Sequence, residues 1–377
     1  MRNAREGIHL QVYGCNLDYV NFAVTLPLVV FRTLPGHRHV SATLERAKSA
    51  LTELGNMDLR HFDLALLPAL DCLLREKNVT YAAKHLSVSQ QALSGTLQRL
   101  RKYFDDELLI RVGRQFELTP LGQSLIVPTR EALLAARAVV NAKPTFEPSD
   151  ANVELKVAMS DYALLVLLPH IMNILETCAP GVKFMVKPVT RQCLHDLSMG
   201  ELDLCIMTND LSLFGIDAKD GRICSRILFE DDFVCVFDKR KNSFPGGITI
   251  ENYRRLRHNR VSFDEDIMTI VEKAWLKDGG EFEAASEAST FSSLLFMLPG
   301  TSMVATTQRR LATALAPRLK LSVTECPLKI PNLLESMIWH ERNNHDPAHR
   351  FLRETVASAA GALVDADRLS TSKSCST

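Results

Sequence analysis

Several signatures of enzymes, metal proteins and membrane proteins are absent from this 377-residue sequence. It has no glycine-rich phosphate loop and no G-x-S-x-G nucleophile motif. Its nine cysteines are scattered, without a C-x-x-C pair, as expected of reduced thiols. An apolar stretch at 22–31 is too short to cross a bilayer and contains Pro27. We therefore expect a cytoplasmic protein that has no membrane partner, no cofactor and no metal, and that is not an enzyme.

Charge of either sign is not in excess, because Lys+Arg and Asp+Glu both number 44. Overall charge therefore neither indicates nor excludes a nucleic-acid partner. Locally, the stretch 84–102 contains basic residues and no acid. The length allows two or three domains, and a hydrophobic content of 46% is ample for their cores.

The stretch 78–103 carries two short amphipathic helical patterns separated by a polar turn. In the first pattern apolar residues recur at i, i+3, i+4 and i+7 behind Asn78, a residue suited to capping a helix. The turn ends at Ser89, the expected N-cap of a second helix whose leucines repeat at helical spacing. Two short helices joined in this way indicate a DNA-reading helix-turn-helix.

The outward face of the second helix predicts contact with a DNA duplex. Its glutamines and serines could reach base edges in the major groove, and its basic residues could meet phosphates. The predicted DNA-binding residues of this helix are Ser89, Gln90, Gln91, Ser94, Gln98, Arg99, Arg101 and Lys102. A hairpin around Gly113 would form a wing that carries Arg111 and Arg114. A solvated surface helix could have the same composition, so the neighbouring residues must decide between the two interpretations.

The order of residues over 82–122 resembles that of the LysR-type transcriptional regulators. The resemblance rests on Ala82-Ala83, Ser89-Gln90, Ala92, Ser94, Arg99-Leu100, Leu108, Arg111, Arg114, Leu118-Thr119-Pro120 and Gly122. Two residues depart from the family pattern: Gln91 stands where proline is usual, and Leu109 where phenylalanine is usual. The resemblance implies a DNA-binding transcription factor of the bacterial nucleoid whose partners are double-stranded DNA and RNA polymerase.

The N-terminal half is expected to contain four parts. Residues 57–118 form the winged helix-turn-helix domain, and 1–56 are an extension that is not native or is poorly ordered, because Met57 is the expected start. A long helix at 119–142 would join two copies into a homodimer or homotetramer, as the resemblance implies, although an ordinary core helix is the alternative. Prolines and polar residues predict a hinge at 143–152.

The sequence from 153 to 360 alternates strands with helices, which predicts an α/β fold with a parallel sheet. The resemblance implies two subdomains similar to periplasmic binding proteins, forming an effector-binding domain. We place subdomain I at about 153–215 and 327–360 and subdomain II at about 216–326. A disordered tail would follow at 361–377. The segment 339–353 looks most like the branch of nodulation regulators and aromatic-degradation activators.

Ligands of such domains lie in the cleft at the carboxyl ends of the strands. The predicted effector-binding residues are Ser160, Thr208, Ser289, Thr290 and Thr306. Ser160 precedes a helix, where its hydroxyl and the helix N-terminus could accept an anion or a phenol. Each of the five could instead be only a helix cap or a structural residue. The branch resemblance implies a small aromatic effector, carboxylated or phenolic, that switches the regulator.

Other interpretations of the effector half remain open. A redox-sensing regulator would need a reactive pair among its cysteines, of which Cys193, Cys205, Cys224 and Cys235 are candidates. An α/β enzyme with an appended helix pair is a second alternative. The best candidates for metal ligands are His340, His345 and His349 with Glu341 and Asp346, for which we expect structural hydrogen bonds rather than a metal.

Overall fold

The computed structural model describes residues 62–140, 146–214, 221–263, 267–279 and 284–374. The extension at 1–56 and the hinge residues 143–145 lie outside these ranges, so the statements about them stay predictions. Among the described residues, no helix is long and apolar enough to span a bilayer.

Three helices form the first domain: α1 (Leu67–Glu76), α2 (Val79–His85) and α3 (Gln90–Phe104). Pro68 lies in the first turn of α1, where its missing N–H removes no hydrogen bond. The Asn78 side chain accepts hydrogen bonds from two backbone N–H groups of α2, and Ser89 Oγ accepts one from α3. The domain core consists of Leu70, Leu73, Leu74, Ala82, Ala83, Leu93, Leu97 and Leu100. The two predicted caps thus begin the two helices of the motif.

The wing follows as two antiparallel strands, β1 (Leu109–Val112) and β2 (Gln115–Leu118). Gly113 in the turn between them has a φ of +62°, a conformation that residues with side chains rarely adopt. The predicted hairpin is therefore present, with glycine at the position that its turn requires.

The long helix α4 (Pro120–Val140) begins directly after the wing and continues through Pro128. Its middle packs on α1, and Thr129, Arg130 and Leu133 are buried there. Towards its end, Val139 and Val140 are 77% and 83% exposed. The C-terminal part of α4 therefore carries apolar side chains that the described part of the chain does not cover.

The effector half, residues 153–374, contains ten strands and eight α-helices among the described residues. The strands are β3 (Glu154–Met159), β4 (Lys183–Pro188), β5 (Leu204–Thr208), β6 (Ile223–Asp231), β7 (Phe233–Phe237), β8 (Arg257–Val261), β9 (Ala284–Ala288), β10 (Met303–Gln308), β11 (Ser322–Glu325) and β12 (Leu333–His340). The helices are α5 (Asp161–Val166), α6 (Leu168–Cys178), α7 (Cys193–Ser198), α8 (Ile250–Arg255), α9 (Ile270–Lys277), α10 (Phe291–Phe296), α11 (Arg309–Leu315) and α12 (Pro347–Ser374).

These strands form two mixed sheets. The first has the order β4-β3-β5-β12-β6, with β3 parallel to both β4 and β5, as the βαβαβ pattern predicts. The strand β12 returns antiparallel between β5 and β6. The second sheet has the order β11-β7-β10-β8-β9, in which β8 pairs parallel with β9 and β10, and β7 pairs antiparallel with β10 and β11. One apolar cluster includes side chains of both sheets, so the two subdomains pack against each other.

The boundary between the subdomains differs from the predicted one. We expected subdomain II to begin at about 216, but the strand at 223–231 belongs to the first sheet. It pairs with β12 from Asp231 opposite Leu333 to Ile223 opposite His340. The chain enters the second sheet only after Asp232. Local periodicity identifies such a strand but does not contain the pairing that decides which sheet it joins.

The last helix also differs from the prediction, because α12 remains helical to Ser374 where we expected a disordered tail from 361. Its apolar residues Val356, Ala359, Ala360 and Leu363 are buried and recur at helical spacing. The apolar face of α12 that contacts α6 therefore continues past residue 360. Because this face is packed against the core, the helix does not end at the predicted boundary.

Candidate nucleic-acid interface and effector cavity

The outward face of α3 is open to solvent and forms a shallow concave surface. It consists of Ser89, Gln90, Gln91, Ser94, Gly95 and Gln98, all of them exposed except the half-buried Ser94. A Cβ added at Gly95 would meet no atom within 4 Å, so another molecule can approach the backbone there. Arg99 and Lys102 are exposed near the end of the same helix. Polar donors and acceptors thus lie at the helix start and cations towards its end.

Arg101 differs from its neighbours because its guanidinium is already bound within the domain. Its Nε donates to the Glu107 carbonyl at 2.9 Å, and its Nη2 donates to the Leu109 carbonyl at 3.0 Å. The same nitrogen lies 3.0 Å from the Glu107 carboxylate. We therefore assign Arg101 the role of fixing the wing against α3. On the wing itself, Arg111 and Arg114 are exposed.

A cavity of about 570 Å³ lies in the effector half at the ends of strands from both sheets. Four of the five predicted effector residues line it: Ser160 and Thr208 from the first subdomain, and Ser289 and Thr290 from the second. Four phenylalanines also line it: Phe214, Phe233, Phe263 and Phe291. The cavity therefore combines aromatic walls with hydroxyl groups from both subdomains.

The fifth predicted residue, Thr306, does not line this cavity. Its hydroxyl lies 2.5 Å from the Tyr253 hydroxyl and 3.8 Å from Cys235 Sγ. Tyr253 and Cys235 belong to an apolar cluster on one face of the second sheet, whereas the adjacent Ala305 belongs to the large cluster shared by the sheets. Strand alternation thus directs the Thr306 side chain away from the effector cavity.

A buried acid, Glu335, forms part of the cavity wall and was missed by sequence reasoning. It lies on β12, its side chain is 1% exposed, and Ser160 Oγ lies 3.4 Å from its Oε1. Burial, together with the nearby Asp231, raises the pKa of Glu335 to about 8. The carboxyl is therefore predominantly protonated at neutral pH. A single acid within a mostly apolar strand was the available sequence signal.

The Glu335 pKa predicts how stability changes with pH. Because the folded protein retains this proton and the unfolded chain has a Glu pKa of about 4.5, native protein binds more protons between these values. We expect the free energy of unfolding to fall by about 2 kcal/mol between pH 6 and pH 8 through this group. Urea titrations of the parent and of Glu335→Gln measure it, and the variant should lack this part of the decrease. Parallel profiles for the two proteins would contradict the assignment.

Asp231 is also buried near the cavity, but it has several partners. The Tyr162 hydroxyl donates to its Oδ2 at 2.6 Å, and the Arg310 backbone N–H donates to the same atom at 3.2 Å. Burial raises the Asp231 pKa, and these partners oppose that shift. Arg310 Nη1 also lies 3.5 Å from the carboxylate. Unlike Glu335, Asp231 thus has a cation and an array of donors.

A hydrogen bond joins the two subdomains beside the cavity. Asp161 Oδ2 accepts it from the backbone N–H of Ser292 at 2.8 Å. Asp161 begins α5 of the first subdomain, and Ser292 lies in the first turn of α10 in the second. The carboxylate thus occupies one of the free N–H groups at the α10 N-terminus.

A buried ion cluster joins the DNA-binding domain to the effector half. Arg130 of α4 is 5% exposed and lies 3.0 Å from Asp71 of α1 and 2.7 Å from Glu201 of the effector half. Its Nε also donates to the Met199 carbonyl at 2.5 Å. Gly200, with a φ of +66°, lies where an added Cβ would approach Leu134 of α4 to 2.8 Å. We call these contacts the Arg130 joint.

His349, one of the three histidines considered as metal ligands, has structural partners. His349 Nε2 lies 2.8 Å from the Asp203 carbonyl, and its Nδ1 lies 2.8 Å from Arg353. Burial lowers the pKa of His349. Within the described residues, no group of three histidine, cysteine, aspartate or glutamate side chains is arranged to hold a metal ion.

A helix-turn-helix with an acid-free outer face, linked to a two-sheet domain with an apolar cavity, defines a transcriptional regulator with an effector-binding domain. Comparisons with known proteins identify the family. Residues 64–123 match the model described as bacterial regulatory helix-turn-helix protein, lysR family, and residues 149–361 match the LysR substrate binding domain. The protein belongs to the LysR family of DNA-binding transcriptional regulators and is not an enzyme.

Similar proteins include two nodulation proteins. Nodulation protein D 2 of Rhizobium tropici is 31% identical over 311 residues, covering 82% of this chain and 96% of that protein. Nodulation protein D of Bradyrhizobium sp. (strain ANU 289) is 30% identical, covering 83% and 90%. A solved probable transcriptional regulator from Pseudomonas aeruginosa is 28% identical, with a TM-score of 0.54 over 80% of this chain and 98% of that one.

The fold is also similar to that of a full-length OxyR variant from Pseudomonas aeruginosa. The TM-score is 0.59 at 18% identity, over 80% of this chain and 95% of that one. At this identity the comparison supports the shared fold only.

Proposed function

We propose that this protein binds double-stranded DNA as a homodimer or homotetramer. A small aromatic effector bound in the cavity then changes its contacts with DNA and with RNA polymerase. The observation that carries the proposal is the presence, in one chain, of a solvent-open polar reader face and an aromatic-lined cavity. The Arg130 joint supplies contacts between the two parts.

The DNA contacts divide into two groups by position on α3 and the wing. The polar residues that form the concave surface at the start of α3 would contact base edges. They are Ser89, Gln90, Gln91, Ser94 and Gln98. Arg99, Lys102, Arg111 and Arg114 would meet phosphates. Arg101 would act indirectly by holding the wing in place.

Self-association through α4 is supported by the exposed valines at its C-terminal end. Apolar side chains on a long helix favour burial against a second helix. Two copies would place their reader helices on successive half-sites of a roughly palindromic DNA sequence.

An aromatic effector is supported by the cavity walls. The rings of Phe263 and Phe291 lie 5.7 Å apart at an interplanar angle of 74°, an edge-to-face arrangement. Rings of a flat ligand could pack against these walls, and the cavity volume lies within the usual range for small-molecule sites.

Helix α7 provides a physical route from the cavity to the DNA-binding domain. The chain enters α7 just after Thr190, which lines the cavity. At the other end, the Met199 carbonyl accepts from Arg130 and the Ser198 carbonyl accepts from Arg342. A shift of α7 on effector binding would therefore change the contacts that make up the Arg130 joint.

A footprint of the full-length protein on the DNA upstream of its own gene tests the DNA-binding half of the proposal. We expect a protected, roughly palindromic site that persists when salt is raised from about 50 to 200 mM, because base contacts depend on salt less than phosphate contacts do. If no site were protected at the lower or at the higher salt concentration, the DNA-binding half of the proposal would be contradicted.

The exposed Lys102 should contribute to affinity through phosphate contact alone. We expect Lys102→Ala to weaken binding to specific and unrelated DNA by the same factor and to reduce the slope of log K against log salt by about one. Fluorescence anisotropy at four salt concentrations measures this slope. An unchanged slope would remove Lys102 from the interface, and Lys277, exposed on α9, provides the matched control substitution.

A redox switch is the second candidate, because Cys205 Sγ lies 4.0 Å from the Cys193 carbonyl and the two thiols are close. The hydrogen bond from Cys205 lowers the pKa of Cys193 to about 7, which favours its thiolate. Both residues are buried, however, which restricts access of an oxidant. A peroxide-dependent change in DNA affinity that Cys193→Ser abolishes would favour this candidate over the effector.

A further inference from the structure

The cavity has polar groups but lacks cations among the described residues that line it. None of those lining residues is lysine, arginine or histidine, whereas two are acids, Asp161 and Glu335. The remaining polar side chains in the wall are hydroxyls and one amide: Ser160, Tyr162, Thr190, Thr208, Ser262, Thr269, Ser289, Thr290 and Gln308. A ligand carboxylate in this space would therefore meet carboxyl groups and no cation among the described lining residues.

Three of the backbone donors at the helix starts beside the cavity already have acceptors within the protein. At the start of α10, the Ser292 N–H donates to Asp161 at 2.8 Å, and the Ser293 N–H donates to the Thr290 hydroxyl at 3.1 Å. At the start of α5, the Ala163 N–H donates to Ser160 at 3.1 Å. An anion that bound to these three donors would have to displace their acceptors, and in the case of Asp161 it would displace another carboxylate.

Glu335 presents a different chemistry from an anion site. Its environment favours the neutral acid, because the side chain is 1% exposed and Asp231 lies nearby with its own cation, Arg310. A protonated carboxyl offers one O–H donor and one carbonyl acceptor. Ser160, 3.4 Å away, adds a hydroxyl that can donate or accept. Together they match a ligand hydroxyl, carbonyl or amide.

We propose that the cavity selects an uncharged aromatic ligand bearing hydroxyl, carbonyl or amide groups, which Glu335 and Ser160 recognise, and that it rejects aromatic carboxylates. This inference rests on the proposed effector site and narrows its ligand to one of the two classes, phenolic or carboxylated, that sequence analysis left open. Aromatic carboxylates would bind weakly, because no cation in the described wall compensates the free energy needed to desolvate the anion.

Matched probes test the inference in the full-length protein. Calorimetric titration at pH 7 compares aromatic amides with the carboxylates of the same skeleton, built on phenyl, naphthyl and biphenyl rings. We expect the amide of at least one pair to bind at least tenfold more tightly than its carboxylate. Equal or tighter binding of the carboxylates would overturn the inference and leave the effector cavity in place. If no member of any pair bound, the effector cavity itself, and with it the proposed function, would be contradicted.

Three substitutions make the result specific to this wall. Glu335→Leu removes the donor and the acceptor, so the amide probe should bind at least tenfold more weakly. Glu335→Gln keeps an uncharged donor and acceptor and should restore the preference for the amide over its carboxylate; a tenfold gain for the carboxylate in this variant would show that Glu335 is ionised and would overturn its role. Thr208→Lys adds a cation to the wall and should bring the carboxylate to at least the affinity of the amide. If the Thr208→Lys variant still preferred the amide to the carboxylate as the parent does, the ligand would bind elsewhere and the inference would be overturned. Thermal melting shows whether the variants are folded.

Discussion

Replacing Gln90 and Gln91 together with alanine is expected to weaken specific DNA binding by a hundredfold or more while leaving non-specific binding nearly unchanged. Both side chains are exposed at the N-terminal end of α3, beside the cap residue Ser89. Contacts from such positions to base edges contribute about 1–3 kcal/mol each, whereas phosphate contacts supply most non-specific affinity. Alanine also favours the helix, so the fold should be retained.

Competition binding with a specific and an unrelated duplex at fixed salt measures this prediction. Gln123→Ala is the matched control, because Gln123 is an exposed glutamine on α4, outside the reader face. Equal losses on both duplexes would mean that the glutamines contribute only general affinity. If the substitution did not lower affinity for either duplex, the outer face of α3 would be a solvated surface and not a DNA-binding one.

The second large effect concerns the Arg130 joint. We expect Arg130→Ala to lower the free energy of unfolding by about 3–5 kcal/mol, because Asp71 would remain buried without its cation. Removing the guanidinium also leaves the Met199 carbonyl without this donor and takes a partner from Glu201. Chemical denaturation of the full-length protein measures the loss.

The control for this prediction lies nearby on the surface. Arg222 and Glu131 form an ion pair whose side chains are 43% and 42% exposed, so Arg222→Ala should cost less than about 1 kcal/mol. Replacing both buried partners, as in Arg130→Met with Asp71→Leu, should restore much of the stability lost in the single variant. A loss below 1 kcal/mol for Arg130→Ala would show that the cluster does not stabilise the joint.

The parts of the fold that depend on neighbouring residues were predictable from sequence. Asn78 and Ser89 cap their helices, and Gly113 forms the wing turn, because capping and turn geometry involve atoms a few residues apart. The parallel order of β3, β4 and β5 also followed, since βαβ units have a strong topological preference.

Features that depend on distant residues were not predictable. Glu335 faces Ser160 across 175 positions, and Arg130 meets Asp71 across 59 and Glu201 across 71. The sequence shows Arg101 as one more cation on the reader helix, but its bonds to Glu107 and Leu109 give it a structural role. In each case the side chain type is visible in the sequence, whereas its partner is set by the fold.

The central claim is that the cavity and the DNA-binding face are energetically coupled, and reciprocity provides its most direct test. If a ligand in the cavity changes DNA affinity, DNA must change ligand affinity by the same factor. The measurement is a calorimetric titration of an aromatic amide that binds the cavity into full-length protein, with and without a saturating specific duplex. We predict affinities that differ by about fivefold or more. Equal affinities in the two titrations would contradict the coupling.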